Sequence, residues 1–209
     1  MKRIIVFLAL LVANLCVVQA DPVTMKLTGV NGTHQGGVAV GPAMGTVNGT
    51  PITMVCDDFA HHVSVGQTWT ATISTFADLS GARFAGVPNA MAKYQQAAWL
   101  FDQFAVNPSA TGDIQFAIWS LFTPSTPVQA GVLSWLDLAK NQNLRNFDFS
   151  GFRVFTPVDC RPSSPQEFIA KIPGAPVPEP ATLALLGSGL AGLASLLKKR
   201  NRDKDSADQ

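Results

Sequence analysis

Three observations in the sequence predict an α+β fold. Two Asn-Gly pairs, Asn31-Gly32 and Asn48-Gly49, sit between short apolar runs in the first half, and such pairs favour tight hairpins because both central residues of a type I′ turn need positive φ. Residues 68–75 alternate polar and apolar side chains, as a half-buried strand does. From residue 88 onward the apolar period lengthens from two to about 3.6, and strand signals return only near residue 152. The fold class that follows is a β-rich N-terminal half with hairpins, a helical middle and returning strands.

Taken in order, Thr46-Val47 run through the Asn48-Gly49 turn into Ile52-Thr53-Met54-Val55-Cys56. In the next strand Trp69, Ala71 and Ile73 share one face and Thr68, Thr70, Thr72 and Ser74 the other. Over residues 88–105, Tyr94, Ala97, Ala98, Phe101, Phe104 and Ala105 fall on one helical stripe. A second helix is predicted over residues 113–122, with Asp113 placed to cap it or to favour its positive end. Thr126-Pro127-Val128-Gln129 has the capping-box spacing and an early Pro, so a third helix is predicted to start there and end near Lys140. Extended structure is predicted again at residues 152–155 and 167–172. Beyond Pro173, Pro176 and Pro178 lack backbone donors, and the segment reads as a stiff stalk.

Both ends of the chain carry cations beside an apolar run. Lys2-Arg3, the apolar stretch 4–18 and the small-residue pattern Val18-Gln19-Ala20 form a secretory signal peptide over residues 1–20. Cys16 follows Leu15 rather than a small residue, which argues against lipidation. Residues 181–197 hold no charge and reach roughly 26 Å as a helix, enough to cross a bilayer core. Lys198, Lys199 and Arg200 then stop transfer, so residues 198–209 form a basic cytoplasmic tail. The expected organisation is a signal peptide (1–20), an exported globular domain (21–173), a Pro-rich stalk (174–180), a transmembrane helix (181–197) and the tail.

The ordered set Val177-Pro178-Glu179-Pro180, Gly-rich apolar helix and Lys198-Lys199-Arg200 resembles the PEP-CTERM sorting tail of Gram-negative bacteria. That resemblance covers about thirty residues. It implies processing by an exosortase-type transpeptidase after passage through the export machinery. It also implies an inner-membrane-anchored precursor, later delivered to the cell surface or an exopolysaccharide-rich extracellular matrix.

Within residues 21–173 charge is sparse and slightly acidic, with no cation between Lys26 and Arg83. Nucleic-acid binding needs a clustered positive footprint and is excluded on that ground. The segment contains no Gly-x-Ser-x-Gly elbow, phosphate loop or His-Glu-x-x-His pattern, so neither an enzyme nor a cofactor is predicted. Asp57, Asp58, His61 and His62 lie close in sequence, but strand alternation would split them between two faces, and no metal site is predicted.

After loss of the leader two cysteines remain, Cys56 and Cys160, and in an oxidising compartment a disulfide between them is one expectation. Another rests on Val55-Cys56-Asp57-Asp58-Phe59 and Ile114-Gln115-Phe116-Ala117-Ile118-Trp119. These segments resemble the two signature halves of bacterial surface thioester domains, the second without a gap. The first departs from the pattern at Met54-Val55 and Asp57. The resemblance implies an internal bond between Cys56 and Gln115, shielded from water by Trp119. The same residues also suit an amphipathic helix packed on a buried cysteine. The function expected from the sequence is therefore structural or adhesive at the cell surface. A covalent adhesin using Cys56 and Gln115 is the alternative, and a carbohydrate-binding module is the second.

Overall fold

A computed structural model describes residues 21–172 except 129, 160 and 162. The chain divides into two compact units, Met1–Pro173 and Gly174–Gln209. The signal peptide, the stalk with its sorting motif, the apolar span 181–197, the basic tail and Cys160 all lie outside the described residues.

The described strands are β1 (Val23–Val30), β2 (His34–Gln35), β3 (Val38–Ala39), β4 (Ala43–Val47), β5 (Thr50–Cys56), β6 (Thr68–Thr75), β7 (Phe152–Pro157) and β8 (Phe168–Lys171). Between β6 and β7 come the helices α1 (Ala90–Val106), α2 (Thr111–Phe122) and α3 (Ala130–Asn141). Six strands close into an antiparallel barrel in the order β1-β4-β5-β8-β7-β6, while β2 and β3 form a small hairpin of their own. Closure leaves the barrel no unpaired edge.

β1 shows how sequence sets this layer. Val23, Met25 and Leu27 point inward while Thr24, Lys26 and Thr28 are exposed, the period-2 alternation of a strand with one buried face. It pairs with β6 through Val23 to Lys26 and with β4 from Met25 onward. Near Thr28 the register shifts, and Leu27 turns its backbone to the loop before β6, bonding Gln67 and Gly66. β7 is buried along its whole length because it is covered on its outer side as well. Phe101 of α1 meets Phe152 edge-on with centroids 6.0 Å apart. The main core joins barrel interior and helices: Met25, Met54, Val55, Tyr94, Leu100, Ile114, Ile118 and Phe155 are all fully buried.

The fold class expected from sequence is present, with three local corrections. Asn48 and Gly49 have φ of 49° and 84° and join β4 to β5 as a type I′ turn. Asn31-Gly32 does not make such a hairpin. Only Gly32 has positive φ, and β1 pairs with β4 and β6 rather than with the strand after the turn. Gly36 and Gly37, both at positive φ, make the β2–β3 turn instead.

The second helix starts two residues earlier than expected, at Thr111, and Asp113 is no cap. Asp113 lies in the first turn, where its charge still suits the helix dipole, and its carboxylate accepts a 3.0 Å bond from Gln35 Nε2. The third helix begins at Ala130, not at Thr126-Pro127. Thr126 is held in a turn by its N–H bond to the Thr123 carbonyl, and its hydroxyl, lacking a partner, does not cap. Gln129 lies outside the described residues.

α2 positions the site. It is buried on nearly every side, between α1, α3 and β5, as a helix apolar around most of its circumference must be. Gly112 lies in close contact with Gln35 of the β2–β3 hairpin: a Cβ there would stand 1.6 Å from Gln35 Oε1, so any other residue would push the Gln35 side chain aside. The hairpin therefore lies directly on the first turn of α2.

Candidate functional site

Cys56 ends β5, where it pairs with Phe168 of β8. Gln115 lies in the second turn of α2, which packs on β5. The Gln115 side-chain amide donates to the Cys56 carbonyl oxygen at 2.7 Å across 59 positions of sequence. Trp119 follows Gln115 by four residues, one helical turn on, and so shares its face. Its ring is fixed by Phe59 and Phe116, each with centroids 5.1 Å away.

All three residues line one cavity of about 430 Å³. Its walls are mostly aliphatic, from Leu27 and Val30 of β1 and Val38 to Val40 of the hairpin, with Phe168 opposite. His62, exposed, and Gln166 bring polar groups to it. The structure thus brings together Cys56, Gln115 and the expected shield Trp119. Cys56 carries a free, buried thiol, and Cys160, its expected disulfide partner, lies outside the described residues. That thiol donates to the Asp58 carbonyl at 3.2 Å and accepts from the Asp58 N–H at 3.3 Å.

Burial pushes the Cys56 thiol well above the usual cysteine range, and the Asp57 carboxyl adds to this. Two donors oppose the trend. The Trp119 indole lies near enough to the sulphur to favour its anion, and the Asp58 N–H does the same. The Trp119 N–H nevertheless meets no acceptor in full hydrogen-bond geometry.

Behind the cysteine sits a buried acidic cluster that the sequence did not reveal as a unit. Asp57 and Asp58 are both fully buried, and strand alternation does not govern them because β5 stops at Cys56. Asp57 has no hydrogen-bond donor on either oxygen. Burial and then the Glu167 carboxylate drive it well above the carboxylate range. Glu167 is raised by burial too, but Tyr94 Oη at 2.5 Å, the Arg83 N–H at 2.6 Å and the Thr156 hydroxyl donate to it and favour its charge.

Asp58 takes a different part. Its carboxylate is paired with the Arg83 guanidinium and with His61 Nδ1. Arg83 also donates to Ser164 Oγ at 2.8 Å and to the Pro165 carbonyl at 3.1 Å. Gln166 Nε2 closes the bracket on the Asp58 carbonyl at 2.9 Å. This network ties the loop after β5, which begins just beyond Cys56, to the loop before β8, which carries Gln166 to the cavity. Arg83 and Glu167 were missed as site residues. Their one signal is isolation: Arg83 is the first cation after Lys26, and Glu167 closes the domain's run of acidic residues. Among the described residues no group of three or more His, Cys, Asp or Glu side chains could hold a metal ion. The aromatics Trp69, Tyr94 and Trp119 are buried, and Phe101 and Trp135 pack against the core.

Comparison with known proteins locates the second signal at the C-terminus. Residues 176–200 match the PEP-CTERM protein-sorting motif. The chain carries a PEP-CTERM sorting motif. The motif contains Val177, Pro178, Glu179 and Pro180 together with Lys198, Lys199 and Arg200. It marks the chain as an exported protein sorted to the surface through an exosortase and bound to the membrane as a precursor. No curated protein matches the sequence. Among solved structures, the N-terminal thioester domain of surface protein from Clostridium perfringens is similar at 9% identity, with a TM-score of 0.45. The similarity covers 70% of this chain and 97% of that one.

Proposed function

We propose that this PEP-CTERM protein is a surface adhesin without turnover chemistry, whose domain stores an internal thioester between Cys56 Sγ and the Gln115 side-chain carbonyl. The observation that carries the reading is the 2.7 Å hydrogen bond from Gln115 Nε2 to the Cys56 backbone carbonyl oxygen, which sets the Gln115 carboxamide beside Cys56 in a cavity that both residues line. The thiol adds to the amide carbon, the C–N bond breaks and ammonia leaves with the thiol's proton. The acyl group is then ready for one transfer to an amine or hydroxyl on a target surface. Aliphatic side chains and the Trp119 ring line the approach to the bond, where they would limit the access of water that such a store must resist.

The rest of the chain serves delivery in this reading. Residues 1–20 direct export, 181–197 hold the precursor in the inner membrane, and exosortase processing near Pro178-Glu179-Pro180 releases the domain to the surface. Exopolysaccharide at that surface is one source of the hydroxyl groups that would be acylated. Treatment of the purified protein with methylamine tests the proposal. A thioester gains one methylamine at Gln115 and exposes a new thiol at Cys56; protein that gains neither is not a thioester adhesin.

A further inference from the structure

Opening a thioester expels the cysteine sulphur with the electron pair of the C–S bond. In an aliphatic cavity that leaving thiolate is costly, because burial disfavours a charge that nothing solvates. Two N–H groups meet this cost here. One is the Asp58 backbone N–H, 3.3 Å from Cys56 Sγ. The other is the indole N–H of Trp119, a residue that lines the same cavity; this N–H is buried and has no acceptor of its own. A buried N–H without a partner is uncommon, since leaving it unmade costs about 1–3 kcal/mol.

We propose that Trp119 is a catalytic residue of the acyl transfer, its indole N–H forming with the Asp58 N–H a two-donor cradle for the departing Cys56 thiolate. This rests on the thioester reading above and deepens it, since shielding alone would use only the apolar face of the ring. In the step, the incoming amine or hydroxyl bonds to the Gln115 acyl carbon and the C–S bond breaks. The nucleophile's proton finally joins the sulphur. The two donors hold the negative charge between those events: Asp58, locked by Arg83, His61 and Gln166, already donates to the sulphur, and the Trp119 ring, flanked by Phe59 and Phe116, needs only a small adjustment to complete its bond.

The phenyl ring of Trp119→Phe keeps much of the apolar shield and removes the donor. In the full-length protein, methylamine opening is expected to slow by about 100–1,000-fold, the scale seen on losing one preorganised donor. An unchanged or faster rate in folded Trp119→Phe protein overturns the proposal, faster opening being the mark of a shield and nothing more. Should the variant fail to fold, benzothienylalanine at position 119 retains the bicyclic shape without the N–H and carries the same expectation.

A second measurement separates this proposal from the thioester reading. In a Gln115→Ala background no thioester can form, and alkylation of Cys56 is followed against pH by peptide mass. Adding Trp119→Phe is expected to raise the midpoint of that profile by about one unit, a tenfold loss of thiolate. A shifted midpoint in a protein that never reacts with methylamine would retain the donor contact and reject the adhesin. An unshifted midpoint rejects the cradle whatever the methylamine result.

Discussion

Gln115 Nε2 stands 2.7 Å from the carbonyl oxygen of Cys56, a contact that pins the second turn of α2 to the last residue of β5. The carboxamide is 1% exposed, so its donor has no water to fall back on. In Cys56→Ala protein, which cannot form the thioester and so keeps the amide, Gln115→Ala removes the bond and leaves the residue-56 carbonyl unsatisfied beside a new void. The expected loss of stability is about 2 kcal/mol by urea unfolding. A loss below about 0.5 kcal/mol would mean that the contact does not anchor the helix.

Arg83 is the brace of the cavity wall. Its guanidinium is the cationic partner of a fully buried Asp58, and removing one member of such a pair strands the other's charge. Arg83→Met is expected to cost about 3–5 kcal/mol. Asp58→Asn in addition should recover part of that loss, which a double-mutant cycle reads directly.

Stability should also depend on pH through Asp57. Its folded-state carboxyl is raised by burial and by Glu167, so the folded chain keeps a proton that the unfolded chain gives up at about pH 3.9. The unfolded state then binds fewer protons, and stability falls as pH climbs from there toward the folded-state value. Asp57→Asn cannot ionise and offers Glu167 a donor. It is expected to flatten this slope and to be more stable than wild type near pH 7 by on the order of 2 kcal/mol. A wild-type-minus-variant difference that stays constant from pH 4 to 8 would contradict the assignment.

Sorting has its own test. With Pro178, Glu179 and Pro180 all changed to Ala, the full-length chain should accumulate in the inner-membrane fraction with its C-terminal tail intact. The unaltered protein should reach the surface without the tail, as immunoblots with tail and domain antibodies would show. Equal surface delivery of both forms would remove the motif from the sorting step.

Much of the element order was legible because it depends on local pattern. The β6 alternation, the α1 stripe and the Asn48-Gly49 turn each arise from side chains within a few residues of one another. What pattern could not reveal was closure of the barrel, since β1–β6 and β5–β8 pairing depends on contacts distant in sequence. Asn31-Gly32 failed as a hairpin for a related reason. Its apolar neighbour Val30 belongs to a strand whose partners, β4 and β6, lie well downstream. Cys56, Gln115 and Trp119 stood out in the sequence by their motif contexts, and the fold places all three in the lining of one cavity. Arg83 and Glu167 were not, because a lone charged residue acquires its role only when folding buries it among Asp57, Asp58 and Tyr94.

Peptide mapping of the protein recovered from the cell envelope tests the central claim most directly. The account predicts a linked species joining the Cys56 and Gln115 peptides, lighter than their sum by one ammonia and absent from Gln115→Ala protein. Recovery of the two peptides separately, with a free thiol on Cys56 and an intact amide on Gln115, would contradict it.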